Sequence, residues 1–413
     1  MSSAPAAVLT REAPATAPQD APRWRSRGRA LLPPVLAYLV GHLLYTVAGA
    51  LVAEPFLPIT GRVRADSGLY VKIAEQGYEL FLCDSDPILA PQFAPGAWCG
   101  TAGWFPLYPG LIRLLTSIGL GSYEAALLVT EASLLLSFVL LWRLLRNTAR
   151  PVAAAVLALA TLLPAGVYLH AVFPMALAGA LLLGCVTFTA ARRWVLAGVA
   201  GALVAAAYPM GVAVAAIGFG AVATLLGRGE LRPWAALRAG LAVVGLPLAG
   251  LGAVFGLHHL TLGHWNAYLL IQEHYGNGVH NPLHSLAKLA IEPSVIVIAE
   301  PRQDLLWVLH TFTDAELWWA LALALLAVAA AVIASGRGRL RPFDAGLALY
   351  AVAMFVGPLI AGPGVSQYRS HTLLLPALLV LRHLPARLLW PYAAVAGVIA
   401  LPMGMLFSTW LLF

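Results

Sequence analysis

Residues 31–53 read LLPPVLAYLVGHLLYTVAGALVA, 23 positions without an Asp, Glu, Lys or Arg. A helix needs about 20 apolar residues to cross the hydrocarbon core of a bilayer, so this stretch reads as a membrane span. The same texture continues to the C-terminus. Of 413 residues 61% are hydrophobic and 10% are charged, where soluble domains carry roughly 25% charged residues. A water-soluble core cannot hide so much apolar surface. Further spans are expected at 122–145, 151–169, 172–190, 194–208, 211–227, 239–257, 314–335, 344–361, 371–382 and 389–411. The expected fold is an all-α polytopic membrane protein with about 11 transmembrane helices, residues 29–413 forming one transmembrane domain.

The net charge of +7 does not indicate nucleic acid, because the cations are scattered between apolar segments. All but Lys72 and Lys288 are arginine. Five arginines lie in residues 1–29, an Ala/Pro-rich stretch whose first 28 residues read as a disordered cytoplasmic tail. It lacks the compact apolar run and small-residue site of a cleaved signal peptide, so the first span is expected to stay in place. Later clusters are Arg143/Arg146/Arg150, Arg192/Arg193, Arg228/Arg232/Arg238, Arg337/Arg339/Arg341 and Arg382/Arg387. Threading the spans from a cytoplasmic N-terminus puts every cluster inside, 18 of the 25 cations, as the positive-inside rule requires. Trp104–Leu120 (WFPLYPGLIRLLTSIGL) is apolar too, but as a span it would invert the Arg143 cluster. It is therefore expected to be an interfacial or re-entrant helix. Large extracytoplasmic loops are expected near 54–121 and 258–313. The protein is expected in the plasma membrane, multi-pass, with its active face extracytoplasmic. Cys83 and Cys99 share the first loop and are a possible disulfide; Cys185 reads as a small core residue.

The densest polar stretch follows the first span: Arg62-Val63-Arg64-Ala65-Asp66-Ser67-Gly68-Leu69-Tyr70-Val71-Lys72-Ile73-Ala74-Glu75. From Asp66 onward the spacing is helical. Asp66 then reads either as the cap of that helix or as a general base at the membrane surface. Asp84 and Asp86 read as solvated loop residues. The second loop is rich in histidine, but its spacings fit no metal motif, and no metal site is expected.

The segment Arg64-x-Asp66-Ser67-Gly68-x-Tyr70-x-x-Ile73-Ala74-x-x-Gly77-Tyr78, with Trp104-Phe105-Pro106-Leu107-Tyr108-Pro109 downstream, resembles the signature of the PIG-V-type mannosyltransferases. Weaker similarities are Pro164–Phe173, Gly263–Gln272, and Ser366-Gln367-Tyr368-Arg369 followed by Leu375-Pro376. The resemblance implies a GT-C integral-membrane glycosyltransferase that moves a sugar, mannose in that family's pattern, from a polyprenyl-phosphate carrier. The acceptor would be a lipid-linked glycan or a protein, with membrane lipids as the surroundings and no cofactor beyond the lipid-linked donor. Three positions depart from the pattern. Ala65 replaces a tryptophan, Phe173-Pro174-Met175-Ala176 lacks an acid, and Ala207-Tyr208-Pro209 lacks an arginine.

Such chemistry needs a carboxylate to take the acceptor proton and cations to hold the departing phosphate. Asp66 is the candidate base and Arg369 the candidate phosphate partner, since a guanidinium offers a planar donor fork. Arg64, Tyr70, Lys72, His170, Tyr368 and His371 are candidate supporting groups. Gln272 and Trp265 are candidates to bind sugar, by hydrogen bonding and by stacking. Two other readings stay open: a non-catalytic protein that binds lipid-linked sugar, and a lipid or solute transporter.

Overall fold

A computed structural model describes residues 23–290, 303–362 and 367–412. The expected tail up to residue 22, part of the second loop and Ser366 lie outside the described residues.

The described chain is predominantly helical, as apolar runs in lipid must be to satisfy their own backbone groups. Seven of the described helices are long and apolar enough to cross a membrane: Leu31–Leu51, Ser122–Leu144, Pro209–Gly227, Pro233–Leu262, Trp307–Gly336, Pro342–Ala361 and Ala386–Ser408. Three shorter apolar helices, Arg150–Thr161, Met175–Ala190 and Trp194–Ala207, occupy expected spans without the length of a full crossing. The expected 371–382 span is a 3-10 helix, Thr372–His383, with Pro376 inside it. Its interior is almost wholly buried by protein, which explains how an unusual helix persists among apolar neighbours. The first helix starts at Arg23, so residues 23–28 of the expected disordered tail are helical.

Trp104–Leu120 forms only a ten-residue helix, Leu107–Thr116. At 1.5 Å per residue that is about 15 Å, half a bilayer core. Tyr108 and Ile112 are buried while Leu114 stands 62% exposed, the one-sided pattern of an interfacial helix.

Several helices meet at glycines. A Cβ on Gly220 would lie 2.4 Å from Cα of Gly346, and one on Gly198 would lie 2.1 Å from the Ala242 carbonyl oxygen. Only residues without side chains allow such backbone approach, the usual device for joining helices in lipid.

Two ionic clusters stand inside the helical body. Glu131, near the middle of Ser122–Leu144, accepts from Tyr38 Oη at 2.5 Å and from Arg62, and lies 3.1 Å from His42 Nε2. Asp344 is fully buried, 2.5 Å from Arg382 Nη2 and 2.9 Å from His383 Nε2. Removing one partner of a buried pair strands the other charge and costs about 3–5 kcal/mol. Glu131→Ala is accordingly expected to lower the thermal unfolding midpoint in detergent well below that of Glu131→Gln, which keeps an acceptor. Equal midpoints for both variants would show that the acceptor retained by glutamine contributes nothing to the cluster.

The two expected loops touch. Strands Leu80–Leu82 and Trp98–Gly100 pair antiparallel, and Cys83 is disulfide-bonded to Cys99. Against this hairpin pack Ala267 and Ile271 of the helix Ala267–His274, in one buried cluster with Ala102. The Trp98 and His264 rings lie 5.2 Å apart, as Phe105 and Tyr268 do at 5.3 Å. Closing a loop of about 15 residues constrains the unfolded chain by about 3 kcal/mol. Peptide mapping without reductant should recover residues 83 and 99 in one cross-linked species, and alkylation of both thiols in unreduced protein would contradict this.

Candidate functional site

The path from the first span to Asp66 is tightly constrained. The short helix Ile59–Arg62 follows that span, and a Cβ on Gly61 would lie 2.0 Å from the Pro55 carbonyl oxygen. Arg62 is anchored on Glu131 by its side chain, and its carbonyl accepts from the Val172 amide at 3.1 Å. Arg64 is 5% exposed. It donates to the Thr60 and Val63 carbonyls, and its guanidinium lies 4.6 Å from the Trp410 ring centroid. Ala65 then adopts φ +46°, a left-handed conformation that costs energy in a residue with a side chain. The turn is closed by Ser67, whose amide donates to the Arg64 carbonyl at 3.0 Å and whose Oγ accepts from the Arg64 amide at 3.1 Å.

Asp66 therefore emerges at the start of the helix Ser67–Gln76, yet its side chain makes no capping hydrogen bond. The capping alternative is set aside by this geometry. The carboxylate is instead ion-paired with Arg369, 303 residues away in sequence. Their side chains are 23% and 14% exposed, so the pair is shielded but reachable.

Arg369 belongs to the short helix Gln367–His371 and sits in an aromatic cage. Its guanidinium carbon lies 5.8 Å from the Tyr168 ring centroid and 5.6 Å from that of Phe173, within cation–π range. Tyr368 stacks on Tyr168 at 5.9 Å. Tyr70 meets Phe173 edge-on at 6.2 Å and Tyr108 at 5.5 Å. Tyr208 Oη lies 3.1 Å from Ser370 Oγ. Burial works against the guanidinium charge, but Asp66 and the surrounding phenols outweigh it, and the net shift of Arg369 is upward. Burial pushes the Tyr275 phenol up to about 12, with the Asp66 charge adding to the shift. The cluster thus sets one aspartate and one guanidinium among phenols whose ionisation burial opposes.

Of the expected site residues, Asp66, Tyr70, Tyr368 and Arg369 come together here. His371 points elsewhere. Its Nδ1 lies 3.0 Å and 3.1 Å from the two carboxylate oxygens of Glu316, both residues are 2% exposed, and Nε2 is buried without a hydrogen-bond partner. Glu316, Asp314, Gln367 and Tyr368 line a small cavity beside this pair. Lys72 pairs with Glu79 on a half-exposed surface. His170 is buried against His42 and Tyr45, at 4.5 Å and 5.1 Å between ring centroids, and packs on Gly41. Gln272 Oε1 accepts from Asn277 Nδ2 at 2.6 Å. Trp265 is 60% exposed and meets Phe255 edge-on. Arg64, as described above, is engaged by backbone carbonyls and Trp410. Asp84 accepts from the Gly96 amide and Asp86 from the Ile88 amide, both exposed turn-closing contacts. Among the described residues, no group of three or more His, Cys, Asp or Glu side chains is placed to hold a metal ion.

Residues that sequence reading missed are Tyr168, Phe173, Tyr208, Tyr275 and Glu316. The first three lie in or beside blocks compared with the family pattern, but those comparisons drew attention to the missing acid and arginine instead of the aromatic side chains present.

Neither a family profile nor a curated protein matches the sequence. Among solved structures, the chain is similar to the oligosaccharyltransferase of Archaeoglobus fulgidus, with a TM-score of 0.49 and 14% identity, covering 92% of this chain and 56% of that one. The chain thus spans little more than half that protein's length, and no residue role is carried over from it. The resemblance to the PIG-V-type mannosyltransferases rests on the motifs quoted above.

Proposed function

We propose that this protein is a membrane glycosyltransferase of the GT-C class that transfers a sugar, mannose by its motifs, from a polyprenyl-phosphate carrier to an acceptor hydroxyl. The observation that carries this reading is the Asp66–Arg369 pair: one carboxylate and one guanidinium, brought together from opposite ends of the chain into a shielded aromatic cluster. Arginine placement favours an extracytoplasmic site, because the clusters all fall on the other side of the threading.

In this reaction the acceptor hydroxyl attacks the anomeric carbon while Asp66 takes the hydroxyl proton. A new bond forms from that carbon to the acceptor oxygen, and its bond to the phosphate oxygen breaks. The electron pair of the broken bond leaves with the polyprenyl phosphate, whose charge Arg369 stabilises. Tyr168 and Phe173 hold the guanidinium in place from its flanks, and Tyr70 and Tyr208 border the site as neutral hydrogen-bonding groups. The acceptor is a lipid-linked glycan or a protein.

Membranes containing the protein should transfer radiolabel from polyprenyl-phosphate mannose to an endogenous acceptor, above membranes lacking it. No transfer with any polyprenyl-phosphate hexose offered would overturn the reading.

A transporter is the second reading, favoured by the buried Tyr38–His42–Glu131–Arg62 cluster, since ionisable groups within a bilayer often mark a pathway. Its members, however, bond to one another in a closed group. Solute uptake into sealed vesicles would support transport over transfer.

A further inference from the structure

The two groups assigned to opposite tasks in the proposed reaction are bound to each other. Arg369 Nη1 donates to Asp66 Oδ2, so the carboxylate takes a guanidinium donor that a departing phosphate would use. The same contact engages one of the two oxygens that could accept the hydroxyl proton. A two-point grip of the guanidinium on the phosphate requires the pair to open.

The surroundings decide which partner yields. Arg369 is flanked by Tyr168 and Phe173, lies on a helix whose neighbours Gln367, Tyr368, Ser370 and His371 are all buried, and is the less exposed of the two side chains. Its placement does not depend on Asp66 alone. Asp66 stands at the turn where the chain enters its helix, without a capping bond to hold its carboxylate. Arg369 is the fixed element and Asp66 the movable one.

Resting on the glycosyltransferase reading, we infer that Asp66 is an internal competitor for the carrier phosphate: the incoming phosphate displaces the carboxylate from Arg369, and this displacement frees the base. The site is self-masked until a lipid phosphate arrives. An acceptor hydroxyl arriving first meets a carboxylate already engaged, so productive binding is ordered, donor before acceptor. Apparent affinity for a ligand falls in proportion to the fraction of protein in the competent state, so removing the competitor raises affinity even as it removes the base.

The test is direct binding of a short-chain polyprenyl monophosphate, the leaving group of the reaction, to the purified full-length protein in detergent. Wild type, Asp66→Asn, Asp66→Ala and Arg369→Gln are compared, with thermal midpoints measured alongside to identify any variant that is misfolded. Asp66→Asn and Asp66→Ala are expected to bind roughly ten-fold more tightly than wild type, and Arg369→Gln to lose binding. Equal or weaker binding by both folded Asp66 variants, with wild type binding, overturns the masking and leaves the glycosyltransferase reading standing. Absence of binding by wild type and both Asp66 variants removes that reading and the masking with it.

Discussion

Asp66→Asn is expected to abolish sugar transfer while leaving the protein folded. Asparagine keeps the size and one acceptor oxygen of aspartate but cannot take the acceptor's proton. Positioned general bases typically contribute 10²–10⁴-fold to rate, so kcat should fall by about that factor. The loss should reside in kcat, while donor KM should not rise and should fall where the freed Arg369 binds the donor more tightly. Single-turnover transfer by purified wild type and variant checks this. A variant within two-fold of wild type would remove Asp66 from the reaction. A weakened donor KM with kcat intact would instead make it a binding residue. Combined with tighter binding of polyprenyl phosphate, a lost kcat would be hard to produce by damage to the fold.

Arg369→Lys carries the second large effect. Lysine retains the charge but not the planar fork, and it fits an aromatic cage less well than a guanidinium. Removing a preorganised donor from a developing charge typically costs 10²–10³-fold. Arg369→Ala is expected to fall in that range and Arg369→Lys to recover only part of the loss. Full activity in Arg369→Lys would show that charge alone suffices and that the bidentate geometry is irrelevant. Arg369→Ala also strands Asp66, so the thermal midpoint of that variant should fall, and Asp66→Asn combined with Arg369→Ala should restore part of it.

Local chemistry made the fold largely legible. Each expected span coincides with a helix or a 3-10 helix, because apolar composition and helix-breaking prolines are properties of neighbouring residues. Pro342 opens Pro342–Ala361 and Pro233 opens its helix in the same way, as N1 prolines do. Length was harder to read. Trp194–Ala207 stops at Tyr208, matching its short expected span and the turn before Pro209. Arg150–Thr161, by contrast, ends at Leu162 inside the expected span 151–169, where apolar residues on both sides hid the break. The Trp104–Leu120 segment, expected from charge placement to be interfacial or re-entrant, holds a helix too short to cross a bilayer.

The candidate site was legible only in halves. Asp66 stood out through its polar surroundings and Arg369 through its place beside an apolar run. Their meeting across 303 positions is a product of helix packing that no spacing encodes. The same limit hid Glu316, whose contact with His371 joins residues 55 positions apart. Conversely, Lys72, Arg64 and His170 drew attention because charge and imidazole are conspicuous in an apolar sequence. Each has a partner or packing role nearby: Glu79 for Lys72, carbonyls and Trp410 for Arg64, and the His42 and Tyr45 rings for His170. In lipid, an ionisable side chain without such support is costly, so conspicuous polar residues are often recruited first for structure.

The most direct test of the central claim follows the sugar–phosphate bond itself. Purified protein in liposomes is given polyprenyl-phosphate mannose and an acceptor extract, and the released polyprenyl phosphate is counted against the sugar transferred. The account predicts one polyprenyl phosphate for each sugar moved by wild type, and neither product with Asp66→Asn. No cleavage by wild type, or cleavage that continues in Asp66→Asn, would contradict it.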